Sequence, residues 1–103
     1  MVFLNMKPFR WDHEKNEQLK VERAISFEEI VLSIETKGLL DILKHPNQEK
    51  YSHQLVFVVA FFNYVYLVPF GEEASYYFLK TIIPNRKATR DYLVRGQSSE
   101  KEI

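Results

Sequence analysis

Residues 55–61 and 64–70 are two apolar runs separated only by Phe62 and Asn63. Both are rich in aromatic and β-branched side chains, and both are apolar at successive positions, not alternate ones. That pattern fits neighbouring strands buried on both faces and joined as an antiparallel hairpin. A two-stranded hairpin is at best marginally stable alone, so the rest of this short chain must cover it. The longest unbroken apolar run, residues 55–62, is eight residues, well short of the roughly 20 of a membrane-spanning helix.

The covering elements follow from local signals. Residues 9–11 read as a short extended entry, and Asp12 as the N-cap of a helix from His13 to about Arg23. That segment has no Gly or Pro and a thin apolar stripe, Leu19 and Val21. Ser26 and Glu29 form a capping box. Phe27, Ile30, Val31 and Ile34 then share one helical face, and Gly38 is the expected C-cap. Residues 39–43 form a strand, residues 44–50 a polar loop containing Pro46, and residues 76–83 a fourth strand stopped by Pro84-Asn85. Pro69 belongs at a strand edge or end. Residues 86–94 form a last helix, and 96–103 a frayed tail. The expected fold is α+β over a single domain, residues 1–103: two N-terminal helices, about four antiparallel strands and a C-terminal helix.

The 103 residues carry no cysteine, which excludes disulfides, zinc–cysteine sites and thiol catalysis. The three glycines are too few and too scattered for a phosphate-binding loop. No two of His13, His45 and His53 have metal-ligand spacing on a helix, so neither metal nor cofactor is expected. Met1-Val2-Phe3-Leu4 runs directly into Asn5 with no cleavage site, giving the expectation of a cytoplasmic protein without membrane contact.

Fourteen basic and fourteen acidic residues cancel, but not evenly along the chain. Residues 80–95 carry Lys80, Arg86, Lys87, Arg90 and Arg95 against Asp91 alone, a local charge of +4. This points to a local anion site, against the blander reading of a solvated helix face. Arg86 and Arg90 share a helical face. Arg86 lies where a strand delivers the chain to a helix N-terminus, a position suited to phosphate. Six tyrosines accompany the cations. Most fit core packing, but rings beside cations are also what single-stranded RNA binding uses. Metal-free RNA cleavage needs a base for the 2′-hydroxyl, an acid for the leaving oxygen and a cation for the charged phosphorane. Lysine can serve the first two roles, arginine only the third.

Three segments, in order, resemble the BrnT family of toxins. Trp11-Asp12-His13-Glu14-Lys15 is similar to that family's Trp-Asp-x-x-Lys opening. Ser26-Phe27-Glu28-Glu29 is similar to its Ser-Phe-Glu-Glu-Ala helix start. Residues 82–90, Ile-Ile-Pro-Asn-Arg-Lys-Ala-Thr-Arg, resemble its Ile-Ile-Ser-Ala-Arg-Lys-Ala-Thr strand-to-helix segment. Residues 9–95 share the element order. The resemblance implies a RelE-like fold and a ribonuclease toxin of a type II toxin–antitoxin pair. It also implies an antitoxin, encoded by an adjacent gene, that blocks the toxin and binds operator DNA. Lys15 and Arg86 match motif positions, with Lys87 and Arg90 close behind. The chain departs at Thr81, where the family has a base. Lys80 takes that place only if a bulge re-aims it.

On this reading Arg86 clamps the scissile phosphate of a single-stranded RNA and Lys15 and Lys80 transfer protons. Lys87 and Arg90 hold flanking phosphates, and Tyr92 touches a base. The alternative is a non-catalytic protein-binding module, or an inactive toxin relative, whose basic helix docks an acidic partner and whose apolar hairpin exposes an edge for that partner to cover.

Overall fold

The computed structural model describes residues 6–44, 47–52 and 54–94. The frayed tail expected at 96–103, the histidines at 45 and 53, Pro46 and Arg95 lie outside them. The fold is α+β. The hairpin is its centre: β3 (Gln54–Phe61) pairs with β4 (Tyr64–Glu72) along its whole length. Phe62 and Asn63 both take positive φ, 50° and 61°, the twist that a two-residue hairpin turn requires.

Beyond the hairpin, the sheet has more strands than expected. β2 (Leu39–Lys44) pairs antiparallel with β3. β5 (Tyr77–Leu79) and β6 (Ile83–Pro84) both pair antiparallel with β4. The entry segment is itself a strand, β1 (Phe9–Trp11), lying parallel to β5. The order is β1-β5-β4-β3-β2, with β6 beside β4. The central hairpin is therefore flanked on both sides, and the edges of the sheet are β1 and β2, not the hairpin.

The expected fourth strand is broken by a bulge. Leu79 faces Phe70 and Ile83 faces Leu67, so three residues, Lys80, Thr81 and Ile82, oppose two, Val68 and Pro69. This also explains how Pro69 sits inside a central strand, not at an end. Its carbonyl accepts the Lys80 N–H at 2.8 Å, so its missing N–H would have pointed to the same side. There regular pairing with β5 ends and the bulge begins, so the proline costs the ladder a donor only at its break.

Two helices cover one face. Asp12 caps α1 (His13–Arg23) by accepting the Glu14 and Lys15 amides. α2 (Phe27–Ser33) starts from the expected capping box. Leu19, Phe27, Ile30 and Ile34 pack on Phe57, Val59, Val68, Phe70 and Leu79. The turn between the helices passes through Ala24 at φ 55°. The chain leaves the helix over Ile34–Gly38, where Thr36 is no longer helical and Lys37 rather than Gly38 takes the left-handed conformation, at φ 77°. Gly38 is needed for another reason: a Cβ there would lie 2.0 Å from Ser33 Oγ and 2.9 Å from the Ala60 carbonyl.

Asn16 joins the two helices. It is 1% exposed, accepts the Phe27 N–H at 2.7 Å and donates to Glu28 Oε1 at 2.7 Å. That second bond, ahead of Glu28's own backbone contact, holds the Glu28 carboxyl below its ordinary range. Asn16→Ala leaves the Phe27 amide buried without its acceptor, an expected loss of about 1–3 kcal/mol. Urea denaturation of the variant measures it, and a midpoint equal to wild type would show that the amide finds another partner.

Candidate functional site

The second face of the sheet carries the basic residues. Side chains alternate along a strand, so Val58, Val65 and Leu67 point away from α1 and α2. Against them lies α3 (Arg86–Thr89), which continues as a π-helical turn, Arg90–Val94. Neither segment has a buried residue. Hydrogen bonds at its first turn hold it to β4: the Asn85 N–H donates to the Val65 carbonyl, and the Val65 N–H donates to Thr89 Oγ1 at 2.9 Å. Leu43, Val58, Leu67, Asn85, Lys87, Ala88, Asp91 and Tyr92 line a shallow groove of about 310 Å³ between α3 and the sheet.

Lys80 is on this same face. It lies opposite Pro69, and its Cε would be 3.8 Å from a Cβ on Gly71. Lys80 and Asn85 face β4 residues four positions apart, about 13 Å along the strand, and the Lys80 arm leans over Gly71, on the side of Pro69 away from Val65. The bulge beyond Lys80 turns Ile82 into the helix-side core, where it is fully buried, and delivers the chain to Arg86. Glu73 was not singled out in the sequence. Its carboxylate also reaches over Gly71, with Oε2 3.7 Å from the same point.

The other candidates divide. Lys87 Nζ and Arg90 Nε lie 3.7 and 3.8 Å from Asp91 carboxylate oxygens, so the one acid of the segment sits among its cations. Arg86 is exposed. At the helix start, Asn85 Oδ1 already accepts the Ala88 N–H at 2.7 Å, so the backbone there is not the open phosphate cradle that the sequence suggested. Lys15 does not join the set. It is on α1, which covers the opposite face, and Arg23 of that helix donates to the Ile82 carbonyl.

Among the tyrosines, Tyr66 and Tyr77 pack against the helix-side core, and Tyr64 packs on Tyr66. Tyr92 alone is on the turn Arg90–Val94 that continues α3. Its hydroxyl donates to Asp41 Oδ2 at 2.8 Å. That bond, then partial burial, hold the Tyr92 pKa above its ordinary 10.0. The protonated form is the one the fold stabilises. The contact is therefore intact at neutral pH and is lost as the pH rises past 10.0 and through the raised value.

Among the described residues, no three His, Asp or Glu side chains are placed to hold a metal ion, and no helix is long and apolar enough to cross a membrane. Neither the sequence nor the fold matches a family model, a curated protein or a solved structure.

Proposed function

We propose that the protein is a metal-independent endoribonuclease of the toxin class, acting on single-stranded RNA and neutralised by a cognate DNA-binding antitoxin. One observation carries this reading: four basic residues, Lys80, Arg86, Lys87 and Arg90, follow one another along the bulged β5–β6 segment and the helical segment after it, on the layer opposite α1 and α2. The resemblance of its strand-to-helix segment to BrnT toxins supports it.

In this proposal the 2′-hydroxyl gives its proton to solvent water and its oxygen attacks the adjacent phosphorus. The bond to the 5′-oxygen breaks, and that oxygen takes up a proton. The products are a 2′,3′-cyclic phosphate and a 5′-hydroxyl. Arg86, with its fixed fork of donors, steadies the extra negative charge of the phosphorane. Lys80 supplies the proton to the leaving oxygen. Lys15, on the other layer, is left out of this set. Lys87 and Arg90 hold neighbouring phosphates in exchange for their contacts with Asp91.

The test is incubation of the purified protein with a long RNA in excess EDTA, with cuts mapped by primer extension. Discrete cuts that disappear when the nucleotide 5′ to the cut is 2′-deoxy are expected. Intact RNA, together with unimpaired growth on expression, would favour the second reading, a non-catalytic binding module. The exposed β2 edge, with Ile42 46% and Leu43 41% exposed, would then be its docking strand.

A further inference from the structure

We propose that Asp41 is a positioning residue for the basic face: through Tyr92 it fixes the turn Arg90–Val94 that continues α3, and with it the placement of Lys87 and Arg90 toward an RNA backbone. This rests on the ribonuclease reading above.

The first observation is a second bulge. Leu39 faces Val59 on β3, but Asp41 faces Val58, so the register shifts by one residue between them. Regular alternation would leave Asp41 on the side of Leu39, which packs against the helix-covered core. The bulge turns it to the side of Val58, where α3 lies. Bulges commonly re-aim a side chain in this way.

Next, both carboxylate oxygens are used. Oδ1 accepts the N–H of Ile42 at 2.8 Å, which fixes the carboxylate against its own strand, and Oδ2 accepts the Tyr92 hydroxyl at 2.8 Å. The distribution of tethers on α3 is the third observation. The bonds made by Asn85 and Thr89 all lie at the first turn. The Tyr92–Asp41 bond reaches 51 residues back to β2 and holds the far end. No residue of that end is fully buried, so a hydrogen bond to the sheet bears directly on how often it is in place. The turn from Arg90 to Val94 carries Asp91, whose carboxylate oxygens lie 3.7 Å from Lys87 Nζ and 3.8 Å from Arg90 Nε.

Asp41→Ala, Tyr92→Phe and the double variant are compared with wild type by amide hydrogen exchange. Binding of a 2′-O-methyl RNA, which cannot be cleaved, is measured over a salt series. Exchange within residues 90–94 is expected to rise about fivefold, the factor that one hydrogen bond of ordinary net worth represents, while β3 and β4 amides stay unchanged. RNA affinity should fall with a shallower salt slope, because fewer phosphates are met. The double variant should be no worse than either single one. Asp41→Asn keeps an acceptor for the Ile42 amide and a polar partner for Tyr92, and should restore most of the protection. A merely destabilised fold would speed exchange throughout and would leave the salt slope intact.

Unchanged exchange in 90–94 overturns the proposal whatever RNA does. Loosened α3 with wild-type RNA affinity and slope overturns it while the ribonuclease reading stands. If wild type binds no RNA at all, the ribonuclease reading fails, and the RNA role of Asp41 fails with it.

Discussion

Arg86→Ala should lower RNA cleavage about 10²–10³-fold, the usual cost of removing one preorganised donor to a developing charge, and leave the melting temperature unchanged. The two halves of this expectation have separate causes. Arg86 is exposed at the first position of α3, and among the described residues it forms no ion pair. Truncating it therefore strands no buried partner, and alanine is the best helix former. The fold has little to lose. The chemistry has much to lose, because a point charge cannot replace the planar fork: Arg86→Lys should recover only part of the rate. Lys87→Ala should behave differently. Its side chain is 79% exposed and already faces Asp91, so its loss should weaken binding and reduce the salt slope, with the rate at saturating RNA little changed. Cleavage rates at saturating and limiting RNA separate the two. A folded Arg86→Ala protein that cuts as fast as wild type would remove the arginine from the reaction and return weight to the binding-module reading.

The division between what the sequence shows and what it hides follows the range of the interactions. The hairpin turn at Phe62-Asn63, the Asp12 cap and the Ser26–Glu29 capping box are decided within a few residues, and all three are legible. Fold class follows from them. The parallel pairing of β1 with β5 joins residues nearly seventy apart, and nothing local in Phe9-Arg10-Trp11 announces it. Bulges are hidden for a related reason: a one-residue register shift is set by what the two flanking strands must bury. Leu79 and Ile82 both reach the helix-side core, three positions apart, which a regular strand forbids. Pro69 was the available clue, since a proline inside a strand otherwise so apolar requires an interrupted ladder beside it. For the candidate site, charge density singled out residues 80–95 and helix spacing grouped Arg86 with Arg90. It could not show that Asp41, from a strand on the far side of the hairpin, turns to meet Tyr92, nor that Lys15 is carried to the opposite layer.

Phe57→Ala is expected to be the most damaging single substitution for stability, with a loss of about 3–5 kcal/mol. Phe57 has no exposed surface. Its ring stacks on Phe70 at 3.7 Å with an interplanar angle of 7°, and meets the edges of Phe9 at 5.9 Å and Tyr77 at 5.7 Å. These neighbours come from β4, β1 and β5, so one ring links the hairpin to the parallel edge of the sheet. All are held by backbone pairing and cannot collapse far into the space an alanine would leave, which puts the cost at the upper end for such changes. Domains of this kind have about 5–15 kcal/mol in total, so the variant should be partly unfolded near physiological temperature. Phe57 nevertheless points away from α3. At a temperature where the variant is folded, its cleavage per folded molecule should equal wild type, unlike Arg86→Ala. Urea denaturation gives the stability, with the slope expected to stay constant. A loss below about 1 kcal/mol would contradict close packing at this ring. Lost cleavage in a fully folded Phe57→Ala protein would mean that the helix-covered face, and not the α3 face, carries the reaction.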